Sequence, residues 1–301
     1  MKRNTKRVIF IIGPTAIGKT QLSIELAKIL NTEIISCDSR QFYKELKIGS
    51  APPNDQELSE IKHHFIQNLS VTDNYSAGQF EIDAIKLIKE LHKTNNTIIA
   101  VGGSGLYIDA ICKGFNKIPE VSEKTRVQVI SEYKNNGLDW LQEQVRNIEP
   151  ELYADYDNNN PQRLLRVVEI FKETGNKLSS FKSKEIKQRP FEIIKIGLNT
   201  QRNILYEHIN KRVDKMMKDG LFKEIKSLVS FQEKNALQTV GYKELFAYLN
   251  NECTLDEATK NIKKNTRRFA KRQLTWFKKD KEIRWFEPNQ LIEIKKFISE
   301  L

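Results

Sequence analysis

Eight residues constrain this chain more than any other stretch. They are Gly13-Pro14-Thr15-Ala16-Ile17-Gly18-Lys19-Thr20, directly after the apolar run Val8-Ile9-Phe10-Ile11-Ile12. A continuous apolar run is the pattern of a strand buried on both faces, as in the middle of a parallel sheet. The spacing G-x-x-x-x-G-K-T then calls for a tight glycine turn and a helix opening at its end. Successive N–H groups of such a turn converge on a phosphate, and the helix N-terminus adds a favourable dipole. Lys19 contributes a point charge, and the Thr20 hydroxyl is a ligand for Mg²⁺. The loop alone does not distinguish a nucleotide from another diphosphate.

The rest of the first half continues the alternation. A helix is predicted over 18–30, a strand over 33–37, a helix over 77–93 and a strand over 97–101. Strands alternating with helices predict an α/β fold: a P-loop NTPase-like parallel sheet with helices on both faces. From about 118 to 188 the periodicity is helical only, with breaks at Asn135-Asn136-Gly137, Asn158-Asn159-Asn160-Pro161 and Thr174-Gly175-Asn176. Ile193–Leu198 reads as a returning strand, followed by helices near 200–218, 220–232, 240–250 and 254–279. The predicted organisation is therefore a core, first part, at 1–117, an all-helical insertion at 118–188, and a second core part with a helical C-terminal region at 189–301.

Composition narrows the class. At 301 residues the chain exceeds one ordinary domain of roughly 100–200 residues. No apolar run approaches the ~18 residues of a membrane span. The basic start Met1-Lys2-Arg3-Asn4 is followed by an apolar run too short for a signal peptide. Cys37, Cys112 and Cys253 are too far apart for a zinc site or a disulfide framework. A cytoplasmic protein is the expectation. The net charge of +11 is unevenly spread, because residues 260–281 hold ten Lys or Arg against Asp280 alone. On a helix, Lys260-Lys264-Arg268-Arg272 and Lys263-Arg267-Lys271 are adjacent rows, with Ile262, Phe269, Trp276 and Phe277 expected to pack inward. A one-signed helix face points to a polyanionic partner.

Three further places carry chemistry. Asp38 follows the second strand, where ligands of open α/β sheets bind, and reads either as a general base facing the phosphate loop or as an N-cap. Gly102-Gly103-Ser104-Gly105-Leu106-Tyr107 brings a third strand end and a hydroxyl to the same edge. Gln162-Arg163-Leu164-Leu165-Arg166, after Pro161, reads equally as an ordinary helix start or an RNA-contacting one. His63-His64 lacks the further ligands a metal needs and reads as structural.

Taken together these segments resemble the bacterial-type tRNA dimethylallyltransferases, also called tRNA isopentenyltransferases. The matching pieces are GPTAIGKT at 13–20, ISCDSRQFY at 35–43, HHFI at 63–66 and GGSGLY at 102–107. NPQRLLRVVEI at 160–170, GYKEL at 241–245 and KRQLTWF at 271–277 also match, all in the family's order. Two departures stand out: Ser104 replaces a usual threonine, and Gly49-Ser50-Ala51-Pro52-Pro53 lacks a lysine often seen there. The end at Leu301, with no Cys/His extension, is what the bacterial form would show.

The resemblance implies transfer of the dimethylallyl group of dimethylallyl diphosphate to N6 of the adenosine 3′-adjacent to the anticodon. It implies that Gly13 to Thr20 hold the prenyl diphosphate with Mg²⁺ on Thr20, and that Asp38 is the base. An arginine would stabilise the leaving diphosphate, at Arg212 with Arg202 as the rival, and Ser104 would contact the amine side. It further implies contacts to the tRNA anticodon stem-loop from Asp38, Ser39, Arg40, Gln41, Ser104, Arg126 and Gln162, Arg163, Leu164, Leu165 and Arg166. Arg268, Lys271 and Arg272 of the basic stripe join them, and a monomer is expected. The rival reading is a small-molecule or nucleoside kinase, which also uses a phosphate loop and an aspartate but needs neither the stripe nor the insertion.

Overall fold

The computed structural model describes residues 5–181 and 187–301. The chain forms two compact units, Met1–Lys113 with Gln188–Leu301, and Gly114–Lys187. The first unit begins β1 (Arg7–Ile12), α1 (Lys19–Leu30), β2 (Ile34–Ser36), α2 (Asp55–Glu60), β3 (His63–His64), α3 (Ala77–Leu91), β4 (Thr97–Gly102) and α4 (Gly105–Cys112). The second unit holds α5 (Glu123–Ile148), α6 (Pro150–Asp155) and α7 (Pro161–Thr174). The first unit resumes with β5 (Glu192–Leu198), α8 (Arg202–Lys218), α9 (Leu221–Lys226), α10 (Tyr242–Leu249), α11 (Leu255–Phe277), β6 (Arg284–Phe286) and α12 (Leu291–Ser299).

The sheet runs β3-β2-β4-β1-β5-β6, every pairing parallel. β1 is central, with Ile9 opposite Ile99 on one side and Ile194 on the other. Ile9 and Ile11 share a core with α1, α8 and α12, through Leu26, Ile209 and Ile294. The alternate residues Val8, Phe10 and Ile12 are buried as completely, so both faces of the strand are covered. That double burial is why the run is apolar without alternation. Lys195 interrupts the apolar run of β5; it is buried and donates to Asp280 at 2.7 Å and Glu282 at 2.8 Å. Asp280 is thereby paired with the sheet through Lys195.

Several elements differ from the sequence expectation. β3, β6 and α12 are two, three and nine residues long, too short or too close to the C-terminus for periodicity to reveal. The helix expected over 220–232 stops at Lys226 and gives way to a 3-10 turn at Val229–Phe231. The break at Asn135-Asn136-Gly137 is present as expected: α5 consists of two helical stretches that meet at a kink at Gly137, whose backbone is non-helical at φ 78°.

Among its described residues the second unit is helical, with a 3-10 turn at Leu178–Phe181. Val129, Leu141, Val145, Leu164, Val168 and Ile170 form its core. α7 starts on Pro161 at its first turn and ends on Gly175 at φ 71°, the Pro-start and Gly-stop asymmetry of a well-delimited helix.

Candidate active site

The carboxyl ends of β1, β2 and β4 open on one cleft of about 700 Å³, all within the first unit. That size is within the roughly 300–1,000 Å³ of small-molecule sites. The phosphate loop forms one wall. Gly18 takes φ 96° as the residue before α1, and Ala16 takes φ 63°. A non-glycine residue in the left-handed region is uncommon, and such strain gathers where backbone geometry serves a ligand. Thr15, Ala16, Ile17, Gly18, Lys19 and Thr20 all line the cleft. Gly13 lies behind them, where any Cβ would stand 2.7 Å from the Leu198 carbonyl oxygen of β5. Pro14 supplies the carbonyl that accepts from Lys19 Nζ at 2.7 Å.

Burial pushes the Lys19 pKa down to about 7, with Asp38 pulling it up and Arg212 pushing it further down. Arg212 also lines the cleft, and its Nη1 donates to Thr15 Oγ1 at 3.2 Å. Burial lowers its pKa as well, against support from Asp38 and Glu57. Arg202 is exposed and stacks on Tyr206 instead, donating to its hydroxyl at 2.8 Å. Of the two candidate arginines, only Arg212 reaches the loop.

Asp38 faces that loop from the end of β2. Its Oδ1 accepts from Arg40 N–H at 3.0 Å, so it caps its own turn while lining the cleft. The Ser104 hydroxyl accepts from Ser39 N–H at 3.1 Å and donates to Ser39 Oγ at 3.3 Å. Ser104 thus fixes the turn that aims Asp38. Gln41 is committed internally: its Nε2 donates to Ala51 O at 2.9 Å and its Oε1 accepts from Ser36 Oγ at 3.0 Å. It holds the Gly49–Pro53 wall of the cleft in place, while Ser39 and Arg40 line the cleft beside Asp38. Behind the turn, Phe42 packs among Phe65, Tyr75, Phe80 and Tyr107.

α11 supplies the wall with a mixed face. Ile262 and Phe277 are buried as expected, and Trp276, although 40% exposed, packs against Gly105 of α4; Phe269 instead turns to the cleft and is 37% exposed. Phe269 lines the cleft with the Arg272 guanidinium 5.8 Å from its ring. The second basic row is not free either. Lys263 pairs with Asp214 at 2.5 Å, and Arg267 donates to Asn210 at 2.7 Å and lies over Tyr206. Both bind α11 to α8, and Lys260 pairs with Asp256 at 2.5 Å, so of the two rows Lys264, Arg268, Lys271 and Arg272 remain on the exposed side.

Two positions that sequence reasoning left without a role shape the cleft. Glu224 accepts from the N–H groups of Ile48 and Gly49 and from the Tyr242 hydroxyl at 2.5 Å, fastening the wall loop to GYKEL. Gln273 is buried between the phosphate loop and the end of β4. KRQLTWF marked the second, but a motif does not say which way a side chain points.

In the second unit, Gln162 and Arg163 are exposed, and Arg166 pairs with Glu169 at 3.7 Å. Arg126 is exposed on α5. Leu164 and Leu165 are buried in that unit's core. This corrects their expected side-chain contact with tRNA: they anchor the helix that presents Arg163. His63 and His64 form β3, and His64 bonds Glu33 at 2.5 Å. Among the described residues no three His, Cys, Asp or Glu side chains gather into a metal site.

The family model described as IPP transferase matches residues 41–280. A tRNA dimethylallyltransferase of Christiangramia forsetii is 51% identical over 280 residues, 93% of either chain. A tRNA dimethylallyltransferase 1 of Phocaeicola vulgatus is 46% identical over 97% of either chain. The structure resembles a full-length tRNA isopentenylpyrophosphate transferase from Bacillus halodurans, with TM-score 0.72 and 35% identity over 98% of this chain and 96% of that one. It also resembles a eukaryotic dimethylallyltransferase acting on tRNA, with TM-score 0.79 and 26% identity over 98% of this chain and 77% of that one.

Proposed function

The chain belongs to the IPP transferase family, and from that premise we propose that its cleft moves a dimethylallyl group from dimethylallyl diphosphate to N6 of the adenosine 3′-adjacent to the anticodon of tRNA. The observation that carries the proposal is a single cleft with cations on one side and a carboxylate on the other. Lys19 and Arg212 flank the phosphate loop, and Asp38 stands opposite.

The chemistry divides accordingly. The allylic C–O bond breaks as the adenine amine attacks, and negative charge grows on the departing diphosphate. Lys19, Arg212 and the loop N–H groups are already in place to stabilise that charge. Asp38 takes the proton the amine loses on alkylation. The turn bond from Ser104 to Ser39 keeps that carboxylate aimed. Thr20 lines the cleft beside Lys19, and its hydroxyl, an oxygen donor of the kind Mg²⁺ takes, would hold that ion there. Mg²⁺ held there would neutralise charge on the leaving group.

The target base must leave the anticodon-loop stack to enter the cleft. Phe269, exposed at the cleft beside Arg272, offers an aromatic face next to a cation, the pairing used for single-stranded nucleic acid. The same proposal places the enzyme in the cytoplasm as a monomer; among the described residues no helix is long and apolar enough to cross a membrane. The test is to incubate the protein with Mg²⁺, labelled dimethylallyl diphosphate and unmodified tRNA, with and without ATP. Label on tRNA, undiminished by a modest excess of ATP, supports the transferase. ATP turnover without labelling supports a kinase.

A further inference from the structure

We infer that Gln273 is a positioning residue, a two-ended latch that holds the phosphate loop to the end of β4 so that the loop keeps its diphosphate-binding shape. This rests on the reading of the loop as a diphosphate site. The side chain is buried to 6% exposure on α11. Its Oε1 accepts from Thr15 N–H at 2.9 Å and its Nε2 donates to the Gly103 carbonyl at 2.8 Å. Those partners lie 258 and 170 residues away in sequence. One primary amide therefore satisfies a donor on one strand end and an acceptor on the next, which Glu, Met or Lys cannot do at neutral pH.

The surroundings are cut to fit this side chain. A Cβ on Gly103 would stand 2.3 Å from Gln273 Nε2, so only glycine admits the latch. One turn along α11, Trp276 fills the space a Cβ on Gly105 would need, and its Nε1 donates to Asp109 at 3.1 Å. Two of the glycines in GGSGLY are thus seats for α11. Thr15 is held twice, by Gln273 at its N–H and by Arg212 at its hydroxyl. Neither contact touches substrate; both fix the loop against which substrate sits.

The test is calorimetric titration of the full chain with inorganic diphosphate and Mg²⁺, beside gel-shift titration with tRNA. Gln273→Met removes both bonds at similar volume. It should weaken diphosphate binding about tenfold to a hundredfold, since two buried partners lose their bonds, while tRNA affinity changes less than about twofold. Gln273→Glu keeps the Thr15 bond but turns a carboxylate towards the Gly103 carbonyl. Its affinity relative to the parent should recover as the pH falls and the protonated acid regains a donor. Should Gln273→Met fold poorly, this pH profile decides alone. Diphosphate binding unchanged in Gln273→Met, an equal loss of tRNA and diphosphate affinity, or a Gln273→Glu ratio flat with pH overturns the latch. If the parent itself binds no diphosphate, the reading of the loop fails and the latch falls with it.

Discussion

Arg212 on α8 donates to the hydroxyl of Thr15 in the phosphate loop at 3.2 Å, tying together residues 197 positions apart. Arg202, ten residues earlier on the same helix, is instead stacked on Tyr206 at the surface. Arg212→Ala should therefore lower kcat by about 10²–10³, the size of losing one preorganised donor to developing charge. Arg202→Ala should stay within about threefold of the parent. Steady-state kinetics of both variants checks the assignment, and the reverse ranking refutes it.

Lys19 gives a pH dependence with a definite sign. Its pKa is held near 7 by burial, and an adjoining diphosphate raises it. Below pH 7 the amine already carries its charge. Above pH 7 it must take up a proton on binding, so diphosphate affinity should fall by up to tenfold per pH unit. Calorimetry in buffers of different ionisation enthalpy should show that uptake at pH 8 and little at pH 6.

The same shift bears on stability. An unfolded lysine titrates near 10.4, so the folded state disfavours the charged form. That penalty is complete below pH 7 and shrinks as the pH rises towards 10.4. Lys19→Met should raise the melting temperature at pH 6, with the gain narrowing above pH 7. A gain constant with pH would show that the lysine is not strained by burial.

The basic stripe divides into two sets of residues. Arg268→Ala with Arg272→Ala removes two cations from the exposed side. It should weaken tRNA binding and lower the salt slope by about 1.4–1.8, the loss of two phosphate contacts. Lys263→Ala breaks the pair with Asp214. It should leave the slope unchanged and cost up to about 1 kcal/mol of stability, as exposed pairs do. Binding isotherms at several salt concentrations separate the two sets.

Phe269→Ala should weaken productive tRNA binding by about tenfold, the loss of one base–aromatic stack, while Phe269→Tyr restores it. Fluorescence of 2-aminopurine at the target position reports the unstacking directly. A signal identical in parent and Phe269→Ala would remove the aromatic from the account.

Much of the fold was legible because local rules set it. Val8–Ile12 reads as a buried parallel strand, and GPTAIGKT as the turn that joins it to a helix. The near-symmetric burial of β1 confirms why that run lacks alternation. What stayed hidden depends on partners distant in sequence. Periodicity put Lys263 and Arg267 in a basic row but could not see Asp214 and Asn210 across on α8. It set Phe269 inward, because an apolar residue on an amphipathic helix packs inward unless a cleft opens beside it. Leu164 and Leu165 sat within a matching motif, yet motifs do not separate the residue that touches from the one that anchors. Gln273 was unreadable for the same reason: its two partners lie at the ends of β1 and β4, and only the parallel register brings those ends together.

The central claim is that the phosphate loop presents a prenyl diphosphate to an adenine amine held at Asp38. The most direct measurement digests tRNA labelled by the parent and by Asp38→Ala and identifies the modified nucleoside and its position. The account predicts N6-isopentenyladenosine 3′-adjacent to the anticodon in the parent, and at least ~10²-fold slower formation in Asp38→Ala with tRNA binding retained. Label in another nucleoside, or Asp38→Ala turning over at the parent's rate, would contradict it.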